Sequence, residues 1–243
     1  IGNGVPKLVG RMVEAAYLHD VISSVTANLR LGPVYRKMKE LADQIDPVQV
    51  LFARQRAMMS DKYMSSEPFD GIMDFISHDI DMVPFLAGRE PTAVFATALR
   101  NVWGDVDAIE VCGAHIEFDG GACIGVISSS MGGGGVPQRL DVVGENGTAV
   151  AEGNTIKFTV GANPPMGSPA RDPWSATFNG EGRDFTLDIY AHWAAACLDP
   201  DADLAPVASY RDGFNALLIS LAIVESGKTG EKIDLAEFAA AAD

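Results

Sequence analysis

Residues 141–160, DVVGENGTAVAEGNTIKFTV, decide the fold class. Three short runs of β-branched and apolar residues are separated only by turn formers, and Asn146-Gly147 is a strong hairpin signal. Connections this short join antiparallel neighbours, because a parallel pair needs a crossover of a dozen or more residues. The rhythm extends back to Ala93 through AVFATALRNV (93–102), DAIEVCGAHIEF (107–118), ACIGVISSS (122–130) and QRLDVVG (138–144). FDGGA (118–122) and MGGGG (131–135) punctuate it. The expectation is a predominantly antiparallel open sheet of about six strands between Ala93 and Val160.

Helical patterns flank this block. VGRMVEAAYLHD (9–20) repeats apolar residues at Val9, Met12, Val13 and Ala16. VISSVTANL (21–29) reads as a strand, and Pro33 suits the first turn of a helix over PVYRKMKELADQI (33–45), with Pro47 beyond its end. VQVLFARQRAM (48–58) alternates like a strand, and MSSEPFDG (64–71) is a loop. GIMDFISHDIDMVPFLAG (71–88) is a helix that Gly88 terminates. Residues 161–183 form a long loop rich in Gly and Pro, and helices follow over 185–198 and 210–228. Strands grouped between helices predict an α+β fold with the helices on one face of the sheet.

Composition narrows the function. The 243 residues are 47% hydrophobic and carry a formal net charge of -15. A surface this acidic repels phosphodiester backbones and anionic membranes, so no nucleic-acid partner is expected. No stretch reaches the ~20 apolar residues that span a bilayer. Cys112, Cys123 and Cys197 lack CxxC spacing and are odd in number, which fits a reducing cytoplasm. MGGGGV (131–136) follows one strand and precedes another, so it is no dinucleotide-binding turn, which needs a helix N-terminus. The isolated chain is expected not to bind dinucleotide.

The 71–88 helix carries the chemistry. Asp74, His78 and Asp81 fall on one stripe, opposite Ile72, Ile76, Ile80 and Val83. An imidazole exchanges a proton with a hydroxyl-bearing carbon, and a neighbouring carboxylate orients it and stabilises the imidazolium. Two other readings stand beside this one: a solvated polar face, and a metal site, for which further ligands are lacking. Arg30 reads as a substrate contact or an exposed charge at a strand end, and Tyr35 as a substrate contact or a core aromatic. His192, beside Tyr190 and Trp193, suits a sugar site or plain helix packing. Arg54 and Arg56 fit a solvated sheet face as well as an anionic substrate.

The ordered string Gly71, Asp74, His78, Asp81, Leu86, Gly88 resembles the D-x-x-x-H-x-x-D helix of the Gfo/Idh/MocA oxidoreductases, named for glucose–fructose oxidoreductase and inositol dehydrogenase. VTANLRLGPVYRKMKEL (25–41), DVVGENGTAVAEG (141–153) and YRDGFNALLISLAIVESGKTGEKIDL (210–235) are similar to that family's segments in the same order. The resemblance implies that residues 1–243 are a C-terminal substrate-binding and oligomerisation domain. The Rossmann domain that binds NAD or NADP, and a lysine of a Glu-Lys-Pro segment, would precede Ile1; Lys7 does not match that lysine. It implies His78 as general acid/base, Asp74 as its orienting partner, and Arg30, Asp81, Tyr35 and His192 at the substrate. Asp81 is the more structural member of its motif. No cofactor-binding or metal-binding residue is assigned within the chain. The expected function is oxidation of a hydroxyl of a sugar, polyol or related compound by a homo-oligomer joined through its sheet, with the chain alone inactive. A non-catalytic binding or assembly module on the same fold is the alternative, and a metal-dependent lyase or hydrolase is a third reading.

Overall fold

The computed structural model describes residues 4–56, 73–100, 102, 109–131, 138–160, 174–178, 185–199, 201 and 207–241. Nine strands form one sheet: β1 (Pro47–Arg56), β2 (Pro91–Arg100), β3 (Ile109–Phe118), β4 (Ile124–Met131), β5 (Arg139–Gly144), β6 (Gly147–Glu152), β7 (Thr155–Val160), β8 (Trp174–Thr177) and β9 (Ile233–Asp234). Their spatial order is β8-β7-β6-β5-β1-β4-β3-β2-β9. Every neighbouring pair is antiparallel except β1 and β4. The helices are α1 (Gly4–Leu18), α2 (Pro33–Ile45), α3 (Met73–Ala87), α4 (Thr186–Leu198), α5 (Tyr210–Thr229) and α6 (Leu235–Ala241).

The α+β class and the antiparallel sheet agree with the sequence, but the strand count is nine, not six. β8 lies inside the stretch read as a loop, and β9 has only two residues; neither is long enough to show a periodicity. β1 enters the middle of the sheet, between β5 and β4, although it is distant from both in sequence. The hairpin turn also sits one residue earlier than read, with Gly144 paired to Gly147 across Glu145-Asn146. The MGGGG loop beyond Met131, the 64–71 loop and Ile72 lie outside the described residues.

One expected strand is absent. Residues 21–27 are irregular, and Asn28–Leu31 is a 3-10 turn. A strand needs partners for its backbone N–H and C=O groups. Here Val25 N–H finds the Ala208 carbonyl at 2.8 Å, and no described strand lies alongside.

The core lies between the sheet and α2, α3 and α5. One row across the covered face reads Val94, Ile116, Gly125, Val50, Val142, Ala149, Phe158. The next reads Ala96, Ala114, Ile127, Phe52, Leu140, Ala151, Ile156, all buried. Helix α3 presses Ile76, Ile80 and Val83, each fully buried, onto these rows. It approaches closely because position 125 is glycine: a Cβ there would stand 2.5 Å from Val83 Cγ1. Gly88 ends α3 in the left-handed conformation, at φ 64°. On the third row the apolar pattern stops. Ala98 and Cys112 are followed by Ser129 and Arg54. The polar cluster begins at that end of the sheet.

Candidate active site

Two groups of buried charges lie on either side of α3; a further buried carboxylate, Glu110 on β3, accepts from Val102 N–H away from both. In the first, Arg30 rises from the 3-10 turn and grips Asp81 of α3 with two bonds. Nε donates to Oδ2 at 2.8 Å and Nη2 to Oδ1 at 2.7 Å. The two side chains are 5% and 8% exposed, so both charges are removed from water. The guanidinium also stacks over Phe85, 4.5 Å from the ring centroid. A second carboxylate, Asp212 of α5, accepts from the same Nη2 at 3.1 Å.

Asp212 is itself anchored. Its Oδ2 accepts from Ser209 N–H at 2.8 Å and Ser209 Oγ at 2.6 Å, while Ser209 Oγ accepts from Asp212 N–H, a capping box that starts α5. Burial opposes the ionised Asp212 carboxylate, but Arg30 and the Ser209 bonds prevail and hold its carboxyl below the usual range. Its contacts therefore stabilise the fold at neutral pH, and that contribution is lost as pH falls through the lowered value. Burial pushes the Asp81 carboxyl above its ordinary value, and the Arg30 bonds oppose the rise. Burial also works against the Arg30 charge, yet Asp81 and Asp212 outweigh it and raise its pKa.

The second group lies where α3 meets β1 and β4. Asp79 is fully buried, with Arg54 Nη1 at 3.2 Å and the Ser129 hydroxyl donating to it at 3.1 Å. Arg54 and Ser129 are register partners on the parallel pair. Arg54 Nη2 donates to Gln138 Oε1 at 2.6 Å, and Gln138 Nε2 donates to the Tyr35 hydroxyl. Burial, the largest influence on Tyr35, raises its phenol, which stays neutral.

The structure places the residues singled out in the sequence as follows. Arg30 is buried, not an exposed charge. Asp81 gives both oxygens to Arg30, which suits its structural reading. Tyr35 is a core aromatic whose hydroxyl joins the Asp79 network. Arg54 faces the helices, so a solvated sheet face does not describe it; the Arg56 side chain lies outside the described residues. His78 is half-buried on α3, near enough for its charge to favour ionised Asp81. Asp74 lies on α3 one turn earlier, and its side chain lies outside the described residues. His192 is on α4, which packs against the turn that carries Arg30. Trp193 of the same helix donates to the Ile22 carbonyl at 3.1 Å.

Asp79, Ser129, Gln138, Ser209 and Asp212 escaped the sequence reading. Asp79 had a signal: it lies about 100° round the helix from His78, beside the apolar stripe, where a carboxylate requires a partner. Ser209-x-x-Asp212 before an apolar run is a capping-box signature.

Among the described residues, no three His, Cys, Asp or Glu side chains are grouped to hold a metal ion. No described helix is long and apolar enough to cross a membrane. A dinucleotide requires a glycine-rich turn leading from a strand into a helix N-terminus. Helix α2 follows a 3-10 turn instead, and the N-terminus of α5 is occupied by its own capping carboxylate. Neither of these two helix starts fits a pyrophosphate.

An α+β domain with a charged helix docked at one end of its sheet defines the class. Residues 36–150 match the family model of the GFO/IDH/MocA C-terminal domain. Inositol 2-dehydrogenase of Rhizobium meliloti (strain 1021) is 27% identical over 172 residues, which cover 67% of this chain and 49% of the relative. The chain spans about half the length of the curated relatives it matches. Levoglucosan dehydrogenase, solved with NADH and L-sorbose, superposes with a TM-score of 0.77 at 19% identity, over 95% of this chain and 70% of that one. A super-repressor mutant of Gal80p from Saccharomyces cerevisiae superposes with a TM-score of 0.71 at 12% identity, over 96% of this chain and 70% of that one. These two likenesses show the fold.

Proposed function

We propose that this chain is the substrate-binding part of an NAD(P)-dependent dehydrogenase that oxidises a hydroxyl of a sugar, polyol or related compound. The observation that carries the reading is His78, half-buried on a helix locked in place by two ion-paired carboxylates, Asp79 and Asp81. In this role His78 accepts the hydroxyl proton of the substrate, and Asp74, one turn earlier, orients substrate and imidazole. Arg30 and Asp81 act on the site by fixing the helix and the charge beside His78. Tyr35 and His192 border it from α2 and α4. The dinucleotide supplies a hydride acceptor, held by residues other than those described. On this reading the chain by itself does not turn over. The family-model match over residues 36–150 and the inositol 2-dehydrogenase relative support the reaction class.

The test is a panel of inositols, aldoses, polyols and their deoxy analogues lacking single hydroxyls, with NAD+ and NADP+, followed by absorbance of the reduced nicotinamide, using the full-length protein. Turnover confined to hydroxyl-bearing members is expected, because polar groups arranged for a hydroxyl reject analogues that lack it. A non-catalytic binding module on the same fold is the second reading. Panel members that bind the folded protein without turnover would favour it.

The open face of the sheet carries the proposed homo-oligomer contact. Phe95, Leu99 and Ile124 are 43%, 50% and 49% exposed on that face. Apolar area of this kind favours a partner sheet. Sedimentation at micromolar concentration should show a species of twice the 25.7 kDa chain mass. A single species at the chain mass would refute it. The exposed free thiol of Cys197 suits the proposed cytoplasmic location.

A further inference from the structure

We propose that Asp212, at the start of α5, is a positioning residue for His78: by sharing Arg30 with Asp81, it sets how the Asp81 carboxylate is held beside the imidazole and how much negative charge that cluster presents. The proposal deepens the acid/base reading of His78 and rests on it. The two oxygens of Asp212 have separate tasks. Oδ2 takes both Ser209 donors and completes the helix cap. Oδ1 reaches across to Arg30, a residue 182 positions away. Capping alone does not require that second contact.

Charge bookkeeping around His78 singles out this cluster. The ionisable residues on elements packed against α3 are Arg30 on the 3-10 turn, Tyr35, Arg36, Lys37, Lys39, Glu40 and Asp43 on α2, Arg54 and Arg56 on β1, and Tyr210, Arg211, Asp212, Glu225 and Lys228 on α5; β4 has none. On α3 itself the carboxylate residues are Asp74, one turn before His78, and Asp79 and Asp81 after it. Arg54 is matched by Asp79 at 3.2 Å, Lys39 by Asp43 at 2.6 Å, and Arg211 by Glu90 at 3.5 Å. Asp81 and Asp212 share one cation, Arg30, so this trio keeps an excess negative charge. His78 is three residues before Asp81, on the same face of α3. Neutralising Asp212 removes the excess and lets Arg30 settle wholly on Asp81. Both effects make the imidazolium less favourable.

Histidine-selective isotope labelling and NMR titration of the full-length protein test the coupling without any substrate. The chain has four histidines, so a His78→Gln variant assigns the resonance. Asp212→Asn, which keeps a side-chain acceptor for the Ser209 amide, should lower the His78 titration midpoint by on the order of half a pH unit. Ser209→Ala, which weakens the cap and keeps the charge, should lower the melting temperature and leave the midpoint in place. Asp212→Glu should return it most of the way to the wild-type value. If Asp212→Asn does not fold, Asp212→Ser is measured with the same expectation. An unchanged midpoint in the uncharged variant, or an equal shift in Ser209→Ala, overturns the proposal. Neither result bears on whether His78 transfers a proton, since that is read by turnover alone.

Discussion

His78→Ala is expected to lower turnover of the full-length protein by about two to four orders of magnitude, the usual contribution of a general acid–base group, and to leave the fold intact. The contrast between activity and stability follows from its place on α3. Ile76, Ile80 and Val83 hold the helix to the sheet and are fully buried, whereas His78 is half-buried on another face. Truncating it opens no core cavity. Ile80→Ala on the same helix should instead cost about 2–5 kcal/mol through a cavity against the sheet. The two variants are compared by initial rate and by urea denaturation. Wild-type turnover in a folded His78→Ala protein would remove the acid/base role and favour the binding-module reading.

Arg30→Ala should destabilise the protein by about 3–5 kcal/mol, the cost of stranding a buried charge by deleting its partner. Asp81 would keep its buried position with both oxygens unpaired, and Asp212 would lose the contact that ties α5 to the 3-10 turn. The penalty depends on pH. Burial already raises the Asp81 carboxyl, so without Arg30 the ionised form is the costly one. The loss is therefore greatest at neutral pH and shrinks as pH falls through the raised value and Asp81 takes up a proton. Arg30→Lys should rescue little, because an ammonium cannot reproduce the Nε and Nη2 fork. Replacing the pair together, as Arg30→Met with Asp81→Leu, should cost less than Arg30→Ala, since no charge is then left in the interior. Equilibrium denaturation at two pH values reads all of this. An Arg30→Ala protein within ~1 kcal/mol of wild type would show that water reaches Asp81 and that the pair is not a buried one.

What could be read from the chain was local. Asn146-Gly147 and the short separators specified antiparallel hairpins, Pro33 and Gly88 marked a helix start and a helix end, and 3.6-residue spacing placed His78 and Asp81 on one face of α3. Each signal lies within a few residues, where dihedral preference and side-chain period act directly. The irregular 21–27 segment shows the limit of such signals: its β-like composition produces no strand without a neighbour.

Contacts between distant residues were decided by the tertiary structure. β1 joins the sheet as a parallel partner of β4 because its buried Val50 and Phe52 complete apolar rows that run from β2 to β7. Arg30 meets Asp81 across 51 positions and Asp212 across 182. An arginine in a sequence window looks the same whether it faces water or two carboxylates. Only packing, by removing water from those groups, forces each charge to find a partner within reach.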